Sequence, residues 1–162
     1  MEQHPFPPFI DKNSKVLILG SFPSFASQKE GFYYGHPQNQ FWKILAKLFD
    51  EKEPRNIEEK KEFLQRHRIA LWDMVAGCER ETSLDSALKN IKVNDIPSLM
   101  EKFPNIEAIF FTGRKSQQLY EKNFNKVIDR PLFYLPSPSP AYRKMGLQEK
   151  IKQWNILKNF IN

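Results

Sequence analysis

Hydrophobic residues along the chain recur with two periods, one typical of buried strands and one typical of helices. The continuous apolar run KVLILG, at 15–20, is typical of a strand buried on both faces. Further strands are predicted at the short apolar segment IALWDMVA, at IEAIFFT (106–112) and at PLFYLP (131–136). The pattern therefore predicts a set of short strands separated by longer segments.

Helical periodicity lies between these strands. In NQFWKILAKLFD the apolar residues Phe41, Ile44, Leu45, Leu48 and Phe49 have the spacing of a helix with one buried stripe. The other predicted helices are a charged one at about 57–68, one near 114–124 and a final one at 147–161. Strands separated by helices pair in parallel, because parallel neighbours need a long crossover. We expect an α/β fold, a three-layer sandwich with a central four-stranded parallel sheet flanked by helices.

Length and composition narrow the class of protein. A chain of 162 residues is within the usual range of one domain. We expect a single domain over residues 1–162, in which Pro5, Pro7 and Pro8 favour an extended arm over residues 1–14. The net charge of +6 favours a polyanionic partner, although the charged run at 50–68 is typical of a solvated helix face.

The single cysteine and the amino terminus indicate the compartment. Cys78 alone can form neither an intrachain disulfide nor a cysteine metal cage. The amino-terminal sequence lacks the pattern of a secretory leader, and no apolar stretch approaches the roughly 20 residues that span a bilayer. We expect a cytoplasmic monomer with no membrane association.

Two unusual loops locate the candidate site. In a parallel sheet ligands bind beyond the carboxyl ends of the strands, and there lie GSFPSFASQKEGFYYGHPQN after the first strand and PSPSPAYRKMG after the fourth. Neither contains GxxxxGK or GxGxxG, so a nucleotide-phosphate loop is not predicted. They supply one carboxylate, Glu30, and one imidazole, His36, so a Ser-His-Asp triad, a carboxylate pair and a metal site are poorly supported.

The hydroxyls, amides and rings of these loops suit a flat heteroaromatic ligand. Tyr33, Tyr34 or Phe22 can stack on such a ring, and Asn39 or Gln38 can hydrogen-bond to its edge. In a basic protein this ligand is consistent with a nucleobase swung out of DNA.

Three motifs then identify a family resemblance. GSFPS at 20–24, YYGHPQNQFW at 33–42 and LPSPSPAYR at 135–143 resemble the motifs of the uracil-DNA glycosylase superfamily, in the same order. The chain is most similar to the hypoxanthine-DNA glycosylase branch, also called DNA-deoxyinosine glycosylases, over nearly its whole length. Segments ALWDMVAGCER and SLDSALKN also take part in the similarity.

The resemblance implies a role for each matching residue. In the mismatch-specific and thymine branches an asparagine of the first motif orients the attacking water, and Phe22 stands in its place here. In the hypoxanthine branch this catalytic role belongs to the asparagine of the HPxNxFW element, and the resemblance therefore implies it for Asn39. Base contacts are implied for Gly20, Ser21, Phe22, Pro23, Ser24, Tyr34, His36 and Thr112, with Tyr34 as the stacking ring. DNA contacts are implied for Ser137, Pro138, Ser139, Ala141, Tyr142 and Arg143. The residue that penetrates the duplex is left open, because Ala141 is small and is followed by Tyr142, Arg143 and Met145.

The function expected from the resemblance is that of a monofunctional DNA glycosylase in base excision repair. It would hydrolyse the N-glycosidic bond of deaminated bases, chiefly hypoxanthine, without metal or cofactor. The alternatives are a uracil- or mismatch-specific glycosylase of the same fold, a non-catalytic damaged-DNA-binding module and, more weakly, a flavodoxin-like small-molecule binder.

Purely structural roles remain open for four polar residues of the quoted segments. Asn39 can cap the following helix, and His36 can pair with a backbone carbonyl. Asp73 at a strand end can satisfy local backbone N–H groups, and Asp85 can join a loop network.

Overall fold

The computed structural model describes residues 1–162. Its strands are β1 (Glu2–Gln3), β2 (Val16–Gly20), β3 (Ile69–Asp73), β4 (Val75–Glu79), β5 (Lys89–Val93), β6 (Ala108–Thr112) and β7 (Leu132–Leu135). Its helices are α1 (Phe25–Glu30), α2 (Phe41–Leu48), α3 (Ile57–Arg66), α4 (Ile96–Lys102), α5 (Arg114–Phe124) and α6 (Leu147–Trp154).

The central sheet has the predicted architecture. Four strands pair in parallel in the order β3-β2-β6-β7. Val16 and Ile18 of β2 pack on one face with α2, α3 and α6, while Leu17 and Leu19 pack on the other face with α4 and α5. Because helices cover both faces, alternate residues of β2 enter two separate hydrophobic clusters, and the strand reads as a continuous apolar run. The predicted three-layer α/β sandwich is confirmed.

A second, smaller sheet was not predicted. Strands β1, β4 and β5 pair antiparallel in the order β1-β4-β5. The segment IALWDMVA is therefore not one strand, since it is divided at Met74 between the parallel sheet and the antiparallel one. Strand β5 is mostly exposed and polar, so it lacks the hydrophobic pattern that marks a strand.

The final helix is shorter than predicted. Helix α6 ends at Trp154, and a 3₁₀ turn continues over Asn155–Asn159. In a 3₁₀ turn residues three apart share one side. Trp154 and Leu157 both lie fully buried in the same cluster, so the tighter turn keeps two large side chains in the core.

The extended amino-terminal arm is docked on the body of the protein. Glu2 and Gln3 pair with β4, and Phe9 forms an antiparallel bridge with Leu71 of the edge strand β3. The arm covers an edge that would otherwise expose unpaired backbone groups. It also carries His4 to the carboxyl end of β3. None of the helices combines the length and apolar character needed to span a bilayer.

Candidate active site

A cavity of about 430 Å³ lies at the carboxyl edge of the central sheet. Its walls come from the carboxyl end of β3 and from the segments that follow β2, β4, β6 and β7. The two unusual loops therefore meet in one site, as the strand directions predict. The cavity is lined by the predicted residues Gly20, Ser21, Phe22, Pro23, Ser24, Tyr34, Asn39, Thr112, Ser137, Pro138, Ser139, Ala141 and Tyr142.

Two predicted contact residues do not line the cavity. The Nδ1 atom of His36 accepts a hydrogen bond from the backbone N–H of Gln38 at 3.1 Å, where a backbone carbonyl partner was expected. The exposed Arg143 donates through Nε to the carbonyl of Pro140 at 3.3 Å. Both side chains are therefore turned onto their own loops. Contact of either one with a ligand stays a prediction.

Asn39 is held at the start of α2 with a defined amide orientation. Its Oδ1 accepts the backbone N–H of Phe41 at 2.9 Å, which satisfies one of the free donors at the helix start. Asn39 lies one residue before the N-cap position, Gln40, and its side chain supports the start of the helix from there. A carbonyl oxygen has two lone pairs, so Oδ1 retains one acceptor position, and Nδ2 has no protein partner in the structure. This hydrogen bond orients an amide that still has hydrogen bonds to offer.

Three features define the conformation of Tyr34. Its ring stacks on Phe41 with centroids 3.9 Å apart and planes within 5°, and its hydroxyl lies 3.2 Å from Thr112 Oγ1. Its φ of 56° is in the left-handed region, which is uncommon for a tyrosine and persists only when the surroundings impose it. Since Phe41 covers one face of the ring, only the other face can receive a ligand.

The hydroxyl groups near Tyr34 donate away from the cavity. Thr112 Oγ1 donates to the carbonyl of Leu19 at 3.4 Å. Burial, and secondarily the charge of Asp73, raises the pKa of Tyr34, so its hydroxyl keeps a proton that it can donate to Thr112. The hydroxyl oxygens of Tyr34 and Thr112 can therefore offer a ligand their lone pairs, as hydrogen-bond acceptors.

Asp73 at the end of β3 lines the cavity, although the sequence indicated only a local structural role for it. Its Oδ2 lies 2.8 Å from His4 Nε2, and both side chains are only 5% exposed. The partner is thus an imidazole from the arm, and the expected bonding to local backbone N–H groups is not what holds this carboxylate. Nothing in the sequence around either residue signals a pairing across 69 positions.

A second carboxylate, Asp85, also lines the cavity. It accepts a short hydrogen bond from the Ser21 hydroxyl, which joins the loop after β4 to the loop after β2. Partial withdrawal from water, and secondarily the charge of Asp73, raises the pKa of this carboxyl. The two loops supply one carboxylate, as the sequence shows, and Asp73 and Asp85 bring two more to the cavity from other segments. No group of three or more His, Cys, Asp or Glu side chains is placed to hold a metal ion.

Replacing His4 with alanine is expected to destabilise the protein by about 1–3 kcal/mol, because Asp73 would remain buried without its partner. Urea unfolding of the single variants and of the double variant with Asp73→Ala measures the coupling. His4→Gln, which keeps a donor, should lose less stability. A His4→Ala protein as stable as wild type would show that the pair contributes nothing.

Buried contacts join the serine–proline loop to the rest of the site. The backbone N–H of Gln40 donates to the carbonyl of Pro138 at 2.9 Å. Lys150, which is 1% exposed, donates through Nζ to Gln40 Oε1 at 2.8 Å and to the Tyr142 carbonyl at 3.1 Å. Burial lowers the pKa of Lys150. Trp154 Nε1 adds a bond to the Pro136 carbonyl at 2.9 Å, so α2 and α6 together hold this loop in position.

Replacing Lys150 with methionine is expected to lower the free energy of unfolding by about 2 kcal/mol, because two partly buried acceptors lose a charged donor. It should also speed hydrogen–deuterium exchange in residues 137–142. Lys152→Met, on the exposed side of the same helix, is the matched control and should change neither quantity. Equal exchange in both variants would show that Lys150 does not hold the loop.

The cationic side chains Arg114 and Lys115, at the start of α5, complete the cavity wall. The guanidinium of Arg114 lies 3.6 Å from the ring centroid of Tyr134, which holds it over the aromatic surface. A nearby phosphate would be attracted to this pair of charges.

Comparison with known proteins identifies the family. The family model described as Uracil DNA glycosylase superfamily matches residues 7–158. A protein of Methanosarcina barkeri named hypoxanthine DNA glycosylase is 38% identical over 152 residues, which cover 93% of this chain and 84% of the relative. A Methanosarcina acetivorans protein of the same name is 35% identical over 157 residues, covering 94% and 95%.

A solved structure has the same fold. The solution NMR structure of a candidate uracil DNA glycosylase from Methanosarcina acetivorans superposes with a TM-score of 0.80 at 33% sequence identity. The match covers 96% of this chain and 98% of that one. With a family match over most of its length and relatives above 30% identity, this chain belongs to the uracil-DNA glycosylase superfamily.

Proposed function

We propose that this protein is a monofunctional DNA glycosylase that hydrolyses the N-glycosidic bond of deaminated bases in DNA, chiefly hypoxanthine in deoxyinosine. The observation that carries the proposal is the amide of Asn39, oriented by the Phe41 N–H at 2.9 Å on the wall of the cavity. Membership of the superfamily supports glycosidic chemistry, and the names of the two relatives support hypoxanthine as the base.

The cavity walls suit a flipped lactam base. The free face of Tyr34 provides a stacking platform. The acceptor oxygens of Asp73 and Tyr34 suit the ring N–H of hypoxanthine, uracil or xanthine. Adenine presents a lone pair at that ring nitrogen, which these acceptors would repel. Tautomer chemistry therefore supports selection of deaminated bases.

Asn39 and Asp73 have separate roles in the proposed reaction. The remaining lone pair of Asn39 Oδ1 accepts a hydrogen bond from water and directs the water oxygen at C1′. An amide is too weak a base to remove the water proton early. Cleavage of the C1′–N9 bond therefore precedes attack by water. The C1′–N9 electron pair leaves with the base while positive charge develops on the sugar. Water then forms the new C1′–O bond, and the proton that it loses neutralises the departed base. Asp73 supplies negative charge at this site, which stabilises the positive charge that develops on the sugar.

The proposal includes the organisation of the protein. Residues 1–162 act as one domain, and a monomer suffices because one chain supplies every wall of the cavity. The amino-terminal arm takes part in the site through the contact of His4 with Asp73. The partner is DNA that contains a deaminated base.

The test is a comparison of free-base release from matched duplexes that contain one deoxyinosine, deoxyuridine or deoxyxanthosine. The proposal predicts fastest release of hypoxanthine, with the DNA backbone intact until alkali is added. Faster release of uracil would favour the uracil-specific alternative. Tight binding of every duplex without base release would contradict the enzymatic proposal and favour a non-catalytic damaged-DNA-binding module.

A further inference from the structure

The imidazole of His4, on the amino-terminal arm, packs against residues of the cavity wall. Its side chain is 5% exposed, and it does not itself line the cavity. The rings of Phe6, Phe22 and Tyr33 surround it, with centroids 5.8–6.0 Å from its own. Phe22 and Tyr33 do line the cavity. Any effect of His4 on a bound base must therefore pass through a neighbouring side chain.

Both nitrogens of the His4 ring have partners. The backbone N–H of Phe6 donates to Nδ1 at 3.1 Å, and the Phe6 carbonyl lies 2.8 Å from the same nitrogen. The first contact suits a neutral ring and the second suits an imidazolium, and in both forms the other nitrogen, Nε2, carries a hydrogen. Nε2 lies 2.8 Å from Asp73 Oδ2. His4 therefore donates to Asp73 in both charge states.

This hydrogen bond sets the rotation of the Asp73 carboxylate. The backbone of Asp73 is held separately, since its carbonyl accepts Asn94 Nδ2 at 2.8 Å. His4 is the one hydrogen-bonding partner of the carboxylate in the structure, and it engages Oδ2. The second oxygen, Oδ1, has no protein partner, although the residue lines the cavity and is only 4% exposed. The orientation of Oδ1 thus depends on the imidazole.

Oδ1 belongs to a group of three oxygen atoms at the carboxyl end of β2. A Cβ built on Gly20 would lie 2.6 Å from Asp73 Oδ1. The same position is 3.1 Å from the Tyr34 hydroxyl and 3.4 Å from Thr112 Oγ1. Because the hydrogens of these two hydroxyls have protein acceptors, all three atoms present lone pairs. A rotation of the Asp73 side chain would remove the only carboxylate oxygen from this group.

We propose that His4 is a positioning residue of the glycosylase reaction, which turns Asp73 so that Oδ1 faces the flipped nucleotide and makes the amino-terminal arm part of the active site. The inference rests on the proposed function, because it assigns His4 an effect on the rate of base release. A group that is already in place stabilises the charge of the transition state without rearranging at the moment of reaction. A buried hydrogen-bonding partner provides that placement for the side chain that it contacts.

The arm is anchored on both sides of His4. Before it, the carboxylate of Glu2 accepts Arg80 Nε at 3.0 Å and Arg80 Nη2 at 3.2 Å. After it, the Pro7 carbonyl accepts the Tyr33 hydroxyl at 2.9 Å. These contacts hold the arm independently of the hydrogen bonds of the imidazole. A substitution at position 4 is therefore expected to change the donor and to leave the arm docked.

Two substitutions separate the hydrogen bond of His4 from its packing. His4→Phe keeps a ring and removes the donor, whereas His4→Gln removes the ring and places an amide N–H near the position of Nε2. Single-turnover release from a deoxyinosine duplex should be about tenfold slower in His4→Phe and within about threefold of wild type in His4→Gln. Affinity for the duplex should change by less than about threefold in both. Gln3→Ala, at an exposed position of the arm, is the matched control and should retain the wild-type rate.

Removal of Asp73 provides the second readout. In the Asp73→Ala background, His4→Phe should slow base release by less than about twofold further, because no carboxylate remains to be positioned. A further loss of about tenfold in that background, or equal rates in His4→Phe and His4→Gln, would overturn the positioning role. If His4→Phe does not fold, His4→Asn takes its place, because its amide is too short to reach Asp73 and the same loss is expected.

A crystal structure of His4→Phe, or of His4→Asn, reports the orientation of Asp73 without any base release. Positioning by His4 predicts that Oδ1 moves away from its place beside Gly20. A carboxylate that keeps its orientation would contradict the inference. If wild-type protein released no base from any duplex, the proposed function would fail, and the crystal structure would still show whether His4 orients Asp73.

Discussion

The Asn39→Ala protein is expected to release hypoxanthine about 100-fold more slowly than wild type. The alanine cannot orient water, so the attacking oxygen loses its alignment with C1′. Affinity for a deoxyinosine duplex should remain within about threefold, because stacking on Tyr34 and the phosphate contacts are untouched. Single-turnover release and fluorescence anisotropy measure the two quantities.

The hydrogen bond at the start of α2 requires its own control. Alanine at position 39 also removes the acceptor for the Phe41 N–H, which costs about 1 kcal/mol of stability. Asn39→Asp keeps this acceptor and the shape of the side chain, so it should retain stability. Correct folding of both variants with wild-type base release would contradict a catalytic role for Asn39.

Replacing Gly20 with alanine is expected to lower base release about 100-fold, the scale of a 1 Å misplacement at a reacting centre. A Cβ on Gly20 would lie 2.6 Å from Asp73 Oδ1 and 3.1 Å from the Tyr34 hydroxyl. Asp73 cannot retreat without weakening its hydrogen bond to His4. Single-turnover base release measures the loss, and overpacking at the site should also cost about 1–3 kcal/mol of stability.

Gly146→Ala is the matched control, since nothing lies within 4 Å of the Cβ that would be added there. It should retain both activity and stability. Wild-type activity in Gly20→Ala would show that the cavity tolerates a displaced Asp73, and the tight packing around Gly20 would then have no part in catalysis.

The central strands β2 and β6 could be predicted because they are buried on both faces. The run from Val16 to Gly20 is apolar throughout for that reason, and its neighbours share the feature. Once the strands were known to be parallel, their carboxyl ends located the site. Asn39 and Ser137 are distant in sequence, yet both line the cavity because the loops that carry them gather at one edge of the sheet.

The position of Asp73 in the cavity wall could not be predicted in the same way. Asp73 depends on His4, which reaches it only because the arm pairs with β4 and bridges to β3. Strand β1 has two residues, too few for any periodicity to show. The hydrophobic pattern of a segment indicates which of its own residues are buried. It does not indicate which distant segment the residues contact, and the contact of His4 with Asp73 is of this second kind.

The most direct measurement is single-turnover product analysis on a matched duplex with one deoxyinosine, using mass spectrometry for the released base. We predict free hypoxanthine and an abasic strand from wild-type protein, with no strand break before alkali. Duplex that is bound at saturation but recovered with deoxyinosine intact would contradict the assignment of a glycosylase.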